Sequence, residues 1–236
     1  MQSIARAPLR YNLAVMIQAL IFDFDGLILD TETPDFQTWQ AIYGEHGFEM
    51  PFDEWAKIIG GDGLSDFNAA AHLSLLSQGR LDPDSLRARH SSESGVLIHA
   101  QPVLPGVLDY LRDAKRLGLK LAIASSSLHS WVDTHARRLG IFDQFDAVVC
   151  ADDVGIDRTK PNPDLFLSAL NQLQVEKDAA IVFEDSPNGV KAAQRAGIFV
   201  VAVPNSVTAL LSFDGAGLAI ESLANLSLHE LLDKVK

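Results

Sequence analysis

"LIFDFDGLILDTE" (residues 20–32) carries an apolar run directly into four carboxylates, Asp23, Asp25, Asp30 and Glu32, with no basic residue among them. Read back to Ile17, as "IQALIFDFD", the run suits a short strand covered on both faces, as strands of a parallel sheet are. Side chains alternate along a strand, so Asp23 and Asp25 share one side and Phe24 turns to the other. Gly26 then lets the backbone leave sharply, and Asp30 and Glu32, past that turn, read as residues that cap or hinge the segment that follows. Two carboxylates held so close need a cation brought from elsewhere in the chain or from solution.

Working outward, "LKLAIASSS" (119–127), "FDAVVCADD" (145–153), "AAIVFEDS" (179–186) and "IFVVAVPN" (198–205) are further apolar runs ending in small, polar or acidic residues. Helical patterns lie between them: "GVLDYLRDAKRLG" (106–118), "SLHSWVDTHARRLG" (127–140), "NPDLFLSALNQLQ" (162–174) and "PNGVKAAQRAG" (187–197), most closing at a glycine. This alternation predicts an α/β fold with a doubly wound, Rossmann-like parallel sheet. Residues 31–100 break the rhythm and read as helices only, the first behind Thr33 as N-cap with Pro34 at its first position. The expected organisation is therefore a core of residues 16–30 and 101–236, a small helical cap domain of residues 31–100 inserted after the first strand, and an extension of residues 1–15. "LANLSLHELLDKVK" predicts a closing amphipathic helix.

Composition narrows the partners. Thirty-one acids against 19 bases give a net charge of -12, which argues against general affinity for nucleic acid or an anionic membrane. A small anionic substrate stays open, since one Lys and one metal ion reverse a local field. The single cysteine, Cys150 in "FDAVVC", reads as a buried structural thiol, and a chain without a possible internal disulfide fits a reducing compartment. A cytoplasmic monomer is expected. Residues 1–15 hold Arg6 and Arg10 and no acid, but lack a continuous apolar segment, and read as a poorly ordered extension rather than a targeting peptide.

In a parallel sheet the carboxyl ends of the strands face one crevice. Those ends collect Asp23, Asp25, Ser125, Glu184 and Asp185. The cluster is oxygen-rich, without His or Cys, and suits Mg²⁺. Lys160, in "RTKPNPDLF" between a threonine and a proline, would be a solvated loop lysine on its own; beside such a cluster it becomes the cation for a phosphoryl group. Ser125 opens an N-cap string before a helix, where hydroxyl and free N–H groups would hold phosphate. The pieces support in-line attack by Asp23 and proton transfer by Asp25, with Lys160 and Ser125 holding equatorial charge.

"DFDGLILDTE", "ASSS", "KPNPD" and "FEDSPNG" together resemble the four ordered motifs of the haloacid dehalogenase superfamily of phosphohydrolases, over nearly the whole chain from Met16. The resemblance implies Asp23 as nucleophile, Asp25 as general acid/base that also gives a backbone carbonyl to Mg²⁺, and Asp185 and Glu184 as metal ligands. It implies phosphate or substrate binding at Ser125, Lys160, Gly26 and Ser126, and a small phosphorylated metabolite as substrate. The chain is most similar to the β-phosphoglucomutase and sugar-phosphate phosphatase branch, but Asp35 stands where the mutase has a histidine, and "IIGGDGLSD" (58–66) has no basic residue for a second phosphate. A phosphatase is expected ahead of a mutase. A phosphorylation-switched receiver is a further alternative, disfavoured because the acidic pair here lies on the first strand and a helical insert follows it. His129 and His135 lie off one helical face, "GGDG" follows no strand, and Trp39, Trp55 and Trp131 read as core residues.

Overall fold

A computed structural model describes residues 16–59 and 67–235. The extension 1–15 and the "GGDG" loop lie outside the described residues. In chain order the elements are β1 (Ala19–Phe22), α1 (Glu32–Glu45), α2 (Phe52–Ile59), α3 (Ala69–Leu76), α4 (Pro83–Ala100), α5 (Val107–Arg116), β2 (Lys120–Ala124), α6 (His129–Arg138), β3 (Ala147–Val149), α7 (Ala151–Val154), α8 (Asp164–Leu173), β4 (Ala180–Glu184), α9 (Pro187–Ala196), β5 (Phe199–Ala202), β6 (Leu218–Ala219) and α10 (Leu228–Val235).

The strands form one sheet in the order β3-β2-β1-β4-β5-β6, every pair parallel. β1 is central, and its last residue, Phe22, is in register with Ile123 on β2 and Phe183 on β4. Those three strands therefore end side by side, which is what delivers residues 100 to 160 positions apart to one place. Alternation assigns the faces: Leu20, Phe22 and Phe24 pack into one layer with α5, α6 and α10, while Ala19 and Ile21 pack into the other with α8 and α9. β1 is fully buried along its length, which explains why it reads as a continuous apolar run rather than an alternating one.

α1 to α4 form the insert, with their own apolar cluster around Trp39, Ile42, Tyr43, Trp55 and Leu73. One residue of that cluster, Val207, comes from the loop after β5. The chain enters the insert past Leu29 and leaves it beside the same residue, which bridges Val103.

Two local expectations need correction, and one strand lay outside them. α1 starts at Glu32, because Asp30 Oδ1 accepts from the Thr33 N–H at 3.0 Å and so satisfies a first-turn donor itself; Thr33 is inside the helix. The "SSS" string does not cap α6: its N-cap is Leu128, with no side-chain bond, and the His129 N–H is accepted by Asp152 Oδ1 instead at 3.0 Å. β6, of two residues, is too short to show a period and was not anticipated.

Candidate active site

The strand ends and the insert line an open cavity of about 640 Å³. Asp23, Asp25, Ser125, Ser126, Lys160 and Asp185 line the sheet side; Glu32, Asp35, Trp55, His90 and Ser94 line the insert side.

Asp23 continues β1, its N–H donating to Phe183 O at 3.0 Å, and its carboxylate meets Lys160 Nζ in a short ion pair. Lys160 also lies 2.6 Å from Glu184 Oε1, so one ammonium bridges carboxylates from β1 and β4. Its side chain is 6% exposed, and burial opposes its charge; the carboxylates of Asp23 and Glu184 nevertheless hold it above the ordinary lysine range. Two prolines and the start of α8 set the direction of the loop that carries it.

Asp23, Glu184 and Asp185 are all buried, and one carboxylate oxygen from each lies within 4.8 Å of the other two. Burial, then the charge of Asp23, pushes Glu184 up to about 7 and Asp185 well above the usual carboxylate range. With one lysine among three buried acids, the cluster favours taking up protons or a cation, and every ligand atom it offers is a carboxylate oxygen. That set fits a small hard divalent cation such as Mg²⁺. Room for it is kept by two glycines. A Cβ on Gly189, in the first turn of α9, would lie 1.8 Å from the Glu184 carboxyl carbon. A Cβ on Gly26, at φ +80°, would lie 2.2 Å from Asp185 Oδ2.

The Asp25 carboxyl is set apart from that trio. It accepts from Ser127 Oγ at 2.7 Å, Trp131 Nε1 at 2.7 Å and Ser125 Oγ at 3.2 Å. Burial and the neighbouring Asp23 raise its pKa against those three donors. Ser125 is buried and also accepts from the Ser127 N–H at 3.0 Å. Ser126 is exposed to the cavity. Gly26 does not line it; its carbonyl accepts from Asn205 Nδ2 at 3.3 Å, and its place is in the turn.

Sequence reasoning missed four participants. Trp131, read as core, orients Asp25; helical spacing gave its face but not its partner. Ser127 carries no signal that separates it from Ser125 in the same serine string. Asn205 stands at the end of "AVPN", a strand end like the others, and its Nδ2 donates to Asp185 Oδ2 at 2.8 Å. Glu32, read as a cap or hinge beside Asp30, faces the cavity, where burial and Asp25 push it up to about 8. On the insert side, Asp35 pairs with His90 at 3.3 Å, and His90 stacks on Trp39 at 4.2 Å. His129 does not reach the cavity lining; its ring nitrogens are taken by Asp133 and Asp153.

Residues 20–203 match the family model described as haloacid dehalogenase-like hydrolase. A Bacillus subtilis (strain 168) protein named "Putative phosphatase YhcW" is 42% identical over 218 residues, 92% of this chain and 97% of that one. "Fructose-1-phosphate phosphatase YqaB" of Escherichia coli (strain K12) is 34% identical over 188 residues, 78% of this chain and 95% of that one. A crystal structure of a CbbY mutant from Rhodobacter sphaeroides in complex with xylulose-(1,5)bisphosphate aligns with a TM-score of 0.68 at 25% identity, over 92% of this chain and 99% of that one. Among the described residues no helix is long and apolar enough to cross a membrane.

Proposed function

Because this chain belongs to the haloacid dehalogenase-like hydrolases and is a phosphoric monoester hydrolase of their sugar-phosphate phosphatase branch, we propose that it hydrolyses small sugar phosphates through an aspartyl phosphate formed on Asp23. The observation that carries this reading is the Lys160 ammonium between Asp23 and Glu184, beside Asp185, on the floor of a cavity roofed by the insert. Asp23, Glu184 and Asp185 would hold Mg²⁺, which when bound would offset the negative charge of the nucleophile and of the substrate phosphate.

The chain's own residues account for the rest. A carboxylate oxygen of Asp23 attacks phosphorus in line, and the bond from phosphorus to the ester oxygen breaks. Asp25, whose raised pKa suits a proton donor, delivers its proton to that leaving oxygen. Ser127, Trp131 and Ser125 then stabilise the carboxylate that remains. Asp25 next takes a proton from water, which attacks phosphorus, releases inorganic phosphate and restores Asp23. Lys160 faces the equatorial oxygens throughout; the Ser125 hydroxyl, with one proton to give, serves them while Asp25 keeps its own proton and turns to the Asp25 carboxylate once that proton has left. Cap helices over the cavity exclude bulk water and contact the sugar. Phosphatase is favoured over mutase because Asp35, paired with His90, stands at the position the mutase gives to a histidine.

The test is a panel of sugar monophosphates with released phosphate as readout, run on the parent and on Asp23→Asn. The parent is expected to turn over repeatedly in Mg²⁺, and the variant to keep its fold and lose turnover. A stoichiometric phosphoprotein without turnover would support a switch instead. Conversion of β-glucose 1-phosphate to glucose 6-phosphate faster than phosphate release would support the mutase.

A further inference from the structure

We infer that Asn205 is a positioning residue that fixes the Asp185 carboxylate for the cation. The inference rests on the reading that Asp185 is a cation ligand. Nothing in the resemblance stated above assigns Asn205 a role.

The orientation of its amide is determined from both ends. Asn205 Oδ1 accepts from the Val207 N–H at 3.0 Å and from the Thr208 N–H at 2.9 Å. Only the amide oxygen can receive two N–H donors, so Nδ2 must point the other way. There it donates to Asp185 Oδ2 at 2.8 Å and to Gly26 O at 3.3 Å. Both amide protons and the oxygen are thus engaged. The loop is held in turn by Asn205 N–H on Thr208 Oγ1 at 3.0 Å and by the Ala209 N–H on Asn205 O at 2.9 Å, with Thr208 fully buried.

Asp185 needs such a partner. It is surrounded by Asp23, Glu184 and Glu32, and a carboxylate among three other acids relieves repulsion by rotating away. A neutral donor on Oδ2 resists that rotation and fixes where the second oxygen points. Gly26 borders the same contact, since a Cβ there would lie 2.8 Å from Asn205 Nδ2 and 2.2 Å from Asp185 Oδ2, so the turn leaves room for the amide to reach the carboxylate. Residues that orient a metal ligand in this way are worth about 10–100-fold in metal affinity.

The experiment measures Mg²⁺ binding by calorimetric titration of the full chain without substrate, together with the rise in Tm that Mg²⁺ produces. Asp185→Ala, the reference, is expected to lose Mg²⁺ binding. Asn205→Ala is expected to bind Mg²⁺ about 10–100-fold more weakly and to show a smaller Mg²⁺-induced rise in Tm. Asn205→Ser, whose hydroxyl can still accept from the loop but is too short to reach Asp185, should show the same loss at a smaller cost to the fold. Thr208→Val removes the loop's acceptor and leaves the Asp185 contact; it should lower Tm yet bind Mg²⁺ as the parent does. Parent-like Mg²⁺ binding in both Asn205 variants, with Asp185→Ala defective, overturns the inference and leaves the site reading intact. Equal weakening by Thr208→Val overturns it too, because loop folding would then explain the effect. Parent-like binding in Asp185→Ala overturns the ligand reading itself.

Discussion

Replacing Lys160 by methionine keeps an unbranched side chain of similar length and deletes one buried charge. At 2.6 Å from Glu184 Oε1, an effective dielectric constant near 20 gives an attraction of about 6 kcal/mol. Part of that is offset by the cost of desolvating the ammonium, and removing one member of a buried pair costs about 3–5 kcal/mol net. The assay is urea denaturation at pH 7.5 in EDTA, where Asp23, Glu184 and Asp185 would be left without a counter-ion. The pH dependence has a defined sign. Glu184 holds its proton more tightly folded than unfolded, so its contribution is fully favourable below about 4.5 and is lost as pH rises through about 7. Without Lys160 its pKa rises further, so the stability gap between variant and parent should widen from pH 5.5 to pH 8. Added Mg²⁺ should narrow that gap. A difference below about 1 kcal/mol, the range of exposed pairs, or one that is flat with pH, would refute the reasoning.

Trp131→Phe removes one charge-assisted donor to Asp25, worth about 1.5–3 kcal/mol, and should move the corresponding limb of the kcat profile to higher pH by about one unit or more. An unmoved limb would mean that another group sets it. Gly189→Ala gains helix propensity but drives a methyl into the Glu184 carboxyl; a net loss of roughly 1–3 kcal/mol and weaker Mg²⁺ binding are expected by thermal unfolding and calorimetry. Cys150→Ala should leave turnover unchanged, and the native thiol should resist aromatic disulfide reagents until the chain unfolds. The thiol is buried, and burial with Asp152 and Asp153 nearby pushes it up to about 12.

The sheet was legible because its signal is local. Each apolar run is continuous, each is followed by a helical period, and the chain order of β1 to β5 needed no long-range information. The acidic strand ends were legible for a related reason: in a parallel sheet the position of a residue along its strand already says which edge of the layer it reaches. Trp131 was not, since 3.6-residue spacing places a side chain on a face without saying what that face meets. Its partner, Asp25, lies 106 residues earlier. Glu32 was misassigned for a similar reason. It looked like a capping acid beside Asp30, and the Thr33 N–H could have gone to either; the structure gives it to Asp30 and turns Glu32 inward. The start of α1 follows from that same choice, and proline at position 34 was a weaker signal than the Asp30 side chain.

Val207 has a bearing on how this molecule could be rebuilt. One half of the cavity is made by adjoining strand ends, and the other half by helices entered and left beside Leu29, a plan that invites exchange of whole inserts between related chains. Yet Val207, from the loop after β5, is 6% exposed within the insert's apolar cluster, and Ser206 Oγ hydrogen-bonds Thr33 Oγ1 at 2.8 Å. A chimera cut only at the two crossover points would strand a valine against a foreign surface next to Asn205. A transplant intended to change substrate preference must therefore take residues 205–208 with it, although more than a hundred residues separate them from the insert.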